Sequence, residues 1–244
     1  MSKSLRFTTI LMLFALAAAV VGILVDPRKI TGVNAWIKPA KFAISTAIFS
    51  GTIAWIFTYL TPSNYLKRLG DTLSFVLILE VAIIYIQAWR GTTSHFNQST
   101  PLNGILYGFM GIGIATLWFA TVAVFVATMR QPFTDNAWGW ALRLGLLITV
   151  IGSAGGGLMI HNKAHTVGAP DGGPGMALTG WSTGHGDLRI AHFVGLHAIQ
   201  VIPLLAWLIG DRRHATAWVV TAATVYFAVM LFVAIKAMKG LPLI

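Results

Sequence analysis

A single glutamate, Glu80, stands in the middle of an apolar run over residues 72–89, TLSFVLILEVAIIYIQAW. A run of that length crosses a bilayer as a helix. The carboxylate then falls near the membrane midplane, where a charge is costly and an ionisable side chain usually marks a function. The chain also carries 7 histidines. His95, His161, His165, His185, His192 and His197 fall on one side of the predicted spans or in helices entered from that side, and His214 alone lies on the other. Imidazole with carboxylate suits zinc, copper or iron, and histidine is the commonest metal ligand.

The spacing within RIAHFVGLHAIQVIP adds direction. A helix turns about 100° per residue, so measured from His192, Arg189 lies at about 60°, Gln200 at about 80° and His197 at about 140°. Phe193, Leu196 and Ile199 lie mainly outside that arc. Polar groups in a membrane helix face the bundle interior or a cavity, so the arc is expected to face inward. Interhelical hydrogen bonding is the ordinary alternative. At 1.5 Å rise per residue, His197 lies roughly 12 Å below Arg189 and Glu80 roughly 15 Å below Arg90. Two tiers are predicted: a deep one of Glu80, His197 and Gln200, and a shallow one of Gln87, Arg90, His161 and His192.

These tiers point to a bound haem or a transition metal held by histidine and carboxylate. Glu80 and His197 are the candidate catalytic groups. His161, His165, His192, His197 and Glu80 are the candidate metal ligands. His161, His192, Gln87, Arg90 and Gln200 are the candidate cofactor contacts. His161 and His165 would share a helix face if the fifth helix continued past Ile160, although HNKAH lacks the glutamate of the HExxH zinc signature. His192 and His197 diverge too far to grip one metal from a straight helix, so each would pair with another helix. Histidines on facing spans can hold a haem axially. The glycines of GSAGGG (Gly152, Gly155, Gly156, Gly157) would admit a flat macrocycle or, more simply, a close helix crossing. Two other chemistries use the same residues: a proton relay through Glu80 and His197 in a transporter or channel, and a membrane metallohydrolase acting on lipid with Glu80 as general base.

The elements that must position these groups follow from composition. Hydrophobic residues make up 56% of the 244 and charged ones only 10%, far below the roughly 25% of a soluble domain. Mean hydropathy is +0.75. An all-α integral membrane protein is expected, one bundle of about seven spans over residues 7–25, 42–60, 72–89, 102–129, 137–160, 190–209 and 215–235. The first run exceeds the usual apolar core of a signal peptide and reads as a retained span. No cysteine occurs, which excludes disulfides, thiolate metal sites and a cysteine nucleophile. The net charge of +10 fits loops and anionic lipid rather than nucleic acid.

Short links on one side carry the pairs Lys67-Arg68 and Arg212-Arg213 and resemble cytoplasmic anchors. The expected placement is an inner membrane of a bacterial cell, N-terminus cytoplasmic and C-terminus outside, with the histidine-rich side extracytoplasmic. The basic residues themselves divide almost evenly between the sides. The long segment 161–189 is too rich in Gly and Pro to be helical over 170–180 and reads as a cap over the bundle. Within it Asp187 is expected to cap the sixth helix or pair with Arg189, and Asp171 to sit in a turn. NAWIKPAKF sets Trp36, Lys38 and Lys41 at an interface, as anchors or as a basic rim for an anionic lipid or small molecule. Gly104, Gly108 and Gly111 form a small-residue stripe suited to packing.

Overall fold

The computed structural model describes residues 2–177 and 179–243. Among the described residues there are seven α-helices: α1 (Lys3–Val25), α2 (Ile37–Ile56), α3 (Asn64–Trp89), α4 (Pro101–Arg130), α5 (Asn136–Asn162), α6 (Leu188–Ile209) and α7 (Ala215–Met238). Each is long and apolar enough to cross a membrane. A short 3-10 turn follows α2 at Phe57–Tyr59, β1 (Lys29–Ile30) and β2 (Val33–Asn34) form a hairpin, and β3 (Thr166–Val167) pairs antiparallel with β4 (Gly186–Asp187). The architecture is all-α, and its seven apolar helices are consistent with a multi-pass membrane protein.

Local chemistry sets the helix ends. Ser63 Oγ accepts from Leu66 N at 3.2 Å, Asp135 Oδ1 from Trp138 N at 3.1 Å, and Asp187 Oδ1 from Arg189 N at 3.0 Å. Each satisfies a backbone donor that the first helical turn leaves orphaned. The Ser63 cap explains why α3 starts at Asn64 rather than at 72, where the apolar run begins. Its first turns carry Lys67, Arg68 and Asp71 and are helical without being apolar. Large apolar side chains such as Phe14, Leu24, Phe75, Ile112, Phe119, Trp207 and Phe232 point outward. A surface of that kind suits lipid and would be a liability in water.

The chain divides into two compact units, Met1–Ala123 and Val124–Ile244. In the first, α1 lies along α2 and both pack on α3. Thr9 Oγ1 and Ser50 Oγ meet at 2.9 Å, and Tyr85 donates its hydroxyl to Ala15 O at 2.7 Å. Met12, Ala47 and Val81 form one apolar cluster, and Ile83, Ile84 and Met110 another. The β1–β2 hairpin hangs from Asp26, which accepts from Arg28 Nη2 at 2.7 Å and Trp36 Nε1 at 2.8 Å. Hydrogen bonds from Arg28 and then Trp36 hold the Asp26 carboxyl well below the usual carboxylate range. Arg28 Nη1 also donates to Trp89 O at 2.9 Å, tying the hairpin to the end of α3.

In the second unit α5, α6 and α7 pack mutually. The closest approach is glycine on glycine: the Cα of Gly152 and that of Gly195 each occupy the space where the other's Cβ would stand. Tyr226 donates to Val194 O at 2.6 Å across the α6–α7 contact. The helix C-terminal part of α4 belongs here, where Arg143 Nη2 donates to Gln131 O at 2.9 Å and Nε to Thr128 O at 3.2 Å.

The segment between α5 and α6 is non-helical, as its Gly and Pro content predicts, and Leu178 within it lies outside the described residues. Asp187, fully buried, organises it. Its carboxylate accepts from Ser182 N at 2.8 Å and forms a fork with Arg189, Nε to Oδ1 at 2.9 Å and Nη2 to Oδ2 at 2.6 Å. The two roles expected for Asp187, cap and ion pair, are therefore both filled. The stripe of Gly104, Gly108 and Gly111 has no heavy atom within 4 Å of where a Cβ would stand. Among these neighbouring glycines the close contact falls instead to Gly113.

Candidate functional site

Glu80 projects from the middle of α3 and is about nine-tenths buried, at 9% exposure. Its Oε1 has no hydrogen-bond partner among the described residues. A Cβ at Gly113 would stand 2.5 Å from that oxygen. Glycine at 113 is thus what leaves room for the carboxylate against α4. A buried polar atom without a partner is uncommon and costs about 1–3 kcal/mol, so it asks for an explanation.

Gln87 and Arg90, placed in the shallow tier by their depth, form a closed network at the end of α3. Arg90 Nη1 donates to Gln87 Oε1 at 2.5 Å and to Asn103 Oδ1 at 3.0 Å. Gln87 Nε2 donates to Asn103 Oδ1 at 3.1 Å. Asn103 Nδ2 passes the chain to Ser99 Oγ at 3.0 Å, and Ser99 Oγ donates to Asn97 Oδ1 at 2.7 Å. Gln87 is fully buried. This arrangement ties the end of α3, the 91–100 loop and the start of α4 together. Asn103 and Asn97 complete it, and nothing in their spacing marked them in advance.

In the second unit, His192 lies on the glycine face of α5. Its Nδ1 meets Gly152 O at 2.9 Å. A carbonyl only accepts, so Nδ1 carries a proton, and in the neutral ring Nε2 keeps its lone pair. The ring packs 3.8 Å from the Cβ positions of Gly155 and Gly156, while Gly157 faces open space. The GSAGGG glycines therefore serve two ends: Gly152 permits the crossing with Gly195, and Gly155 and Gly156 give clearance to an imidazole. His197 Nδ1 meets Gln200 Oε1 at 3.2 Å, and its ring tilts against Phe193 at 4.3 Å between centroids. The most buried face of α6 is apolar and small, with Ala191, Gly195, Ala198 and Ile202. His192, His197 and Gln200 are half-buried at its flank.

The i, i+4 pairing of His161 with His165 does not form. α5 ends at Asn162, and Lys163 turns left-handed at φ +53°. Helical spacing beyond Ile160 therefore does not apply. His161 is exposed. His165 Nδ1 instead meets Asp171 Oδ2 at 2.7 Å. Burial raises the Asp171 carboxyl, but the backbone N–H groups of His165 and Thr166 and the His165 ring outweigh it and hold the group below its ordinary value. Asp171 is more than a turn residue: it pins the stretch that follows α5, at His165 and Thr166.

Glu80, Gln87 and Arg90 belong to the first unit and His161, His165, His192, His197 and Gln200 to the second. Among the described residues, no three of His, Asp and Glu gather closely enough to hold a metal ion. No protein-family model, curated protein or solved structure matches this chain.

Proposed function

We infer that this is a haem- or metal-binding membrane redox protein whose protein ligands lie on α6. One observation carries the reading: His192 and His197 each commit Nδ1 to an oxygen acceptor, Gly152 O and Gln200 Oε1, and keep Nε2 outside any described hydrogen bond. Metal-ligating histidines almost always present this geometry, because the acceptor on the far nitrogen fixes the tautomer and raises the basicity of the ligating nitrogen. A haem fits the chain better than a bare ion, since it needs only one or two axial ligands from the protein. Gly155 and Gly156 under the His192 ring, with open space at Gly157, leave a low flank beside it. A bound haem would supply one-electron transfer. The chain's part is to orient the imidazole and to surround it with apolar side chains.

The paired bases Lys67-Arg68 and Arg212-Arg213 favour a cytoplasmic placement for their side. The histidine-bearing side then opens outward from a bacterial inner membrane, with the C-terminus outside.

A second reading, proton-coupled transport, is favoured by Glu80, whose buried Oε1 lacks a partner beside Gly113. The visible spectrum of detergent-purified protein separates the two. A Soret band that disappears in His192→Ala or His197→Ala, in protein that still inserts, supports the ligand reading. No band and no stoichiometric metal in protein from haem-replete cells defeats it. Transport predicts instead that Glu80→Gln abolishes proton flux in liposomes and leaves any bound chromophore in place. Reporter fusions at Ser63 and Gly173 check orientation; reversed signals would overturn it.

A further inference from the structure

We propose that the first unit binds a short-chain monocarboxylate in a cavity between the β1–β2 hairpin, the start of α2 and the end of α3. The cavity measures about 100 Å³ and is lined by Lys38, Thr93 and Ser94 together with Pro39, Ile84 and Ala88, among others. An enclosed apolar cavity of about 150 Å³ holds a benzene ring; this one is smaller but partly open, so it takes most of a short-chain acid without enclosing all of it. Its two ends differ in chemistry. Ile84 and Ala88 are one turn apart on α3, inside the helix. Thr93 and Ser94 follow α3 in the loop, where Lys38 joins them from the first turn of α2. An alkyl tail suits the first end and an anionic head the second.

The charge at the second end lacks a counter-ion. Lys38 Nζ donates to His95 Nδ1 at 3.2 Å and stands 6.0 Å from the Phe42 ring centroid. Ser94 Oγ lies 3.0 Å from the same His95 nitrogen. That nitrogen must therefore accept, which fixes the ammonium against one side of the cavity. No carboxylate among the described residues lies within ion-pair distance of Lys38. Lys41, one turn on along α2, adds a second positive charge beside it. A half-buried ammonium placed against a cavity, with a like charge as its neighbour, is stabilised by an anion brought by the ligand. The His95–Lys38 contact is what orients the amine, so His95 acts here as a positioning residue. This site is independent of the α6 histidines.

Calorimetric titration of the full chain in phosphatidylcholine nanodiscs tests the proposal. Butyrate should bind at one saturable site, and butyramide, its neutral amide counterpart, at least ten-fold more weakly. Lys38→Met should lower butyrate affinity ten-fold or more. Ala88→Leu, which fills the apolar end, should weaken butyrate several-fold while sparing acetate. Equal binding of butyrate and butyramide would overturn the assignment on the unmodified protein, whatever the variants do. So would unchanged affinity in Lys38→Met. Binding of inorganic phosphate but not butyrate would also overturn it. A loss of butyrate binding when phosphatidylglycerol is added would assign the site to a lipid headgroup.

Discussion

In the first unit the polar side chains at the end of α3 satisfy one another, whereas the α6 imidazoles of the second each keep a ring nitrogen uncommitted among the described residues. Gln87, Asn103, Arg90, Ser99 and Asn97 pass hydrogen bonds along a chain in which the amide oxygens all accept. Such a network is rigid and leaves little for a ligand. His192 and His197 show the opposite economy, with one nitrogen anchored and the other available. Polar residues in helices of similar apolar composition thus do different work. At the end of α3 they join helix ends; on α6 each anchors one ring nitrogen on an oxygen and leaves the other outside any described hydrogen bond. The same contrast applies to glycine. Gly152 and Gly195 set a helix crossing, while Gly104, Gly108 and Gly111 face nothing within 4 Å.

The largest expected effect tests the glycine half of this comparison. Gly195→Leu drives a side chain into the backbone of α5 at Gly152. Overpacking costs about 1–3 kcal/mol and more against backbone, so most of the protein should be lost from the monodisperse peak in size-exclusion chromatography. Gly108→Leu should leave the elution profile unchanged. Equal tolerance at both positions would remove the crossing as the organising contact of the second unit.

A middle-sized effect tests the polar half. Gln87→Leu removes the Arg90 acceptor and the Asn103 donor at a fully buried position, which costs about 1–3 kcal/mol. His197→Leu removes one partner at a half-buried position and should cost less than about 1 kcal/mol, in line with a net hydrogen bond. Denaturant titration of the two variants side by side gives the order. A larger loss for His197→Leu would make that histidine structural and weaken its assignment as a ligand.

The smallest effect is pH-dependent and local. Asp171 has a folded-state pKa below its ordinary value, so it contributes stability that is complete above the ordinary carboxylate value of about 4 and is lost as pH falls through the lower folded value. Amide exchange at His165 and Thr166, whose N–H groups the carboxylate accepts, should accelerate in that acid window beyond the intrinsic rate. Asp171→Asn should flatten the dependence. Exchange that stays protected through the window would show this stretch to be held by β3 and β4 alone.

Seven helices were legible from hydropathy because a chain in lipid must satisfy its backbone within each segment, and a helix does so locally. The cap at Asp187 was legible too, because a cap is local; those at Ser63 and Asp135 were as local but went unread. The end of α5 was not: Lys163 enters the left-handed region without a glycine to announce it, which separated His161 from His165. Spacing along a helix fixes an angle and a depth on that helix's own axis. It does not say which neighbour stands at that angle. Only tertiary packing decided that His192 meets Gly152, that Lys38 meets His95, 57 residues away in the chain, and that Gln87 and Arg90 spend their polarity on Asn103, because each of these contacts joins segments whose approach no local pattern encodes.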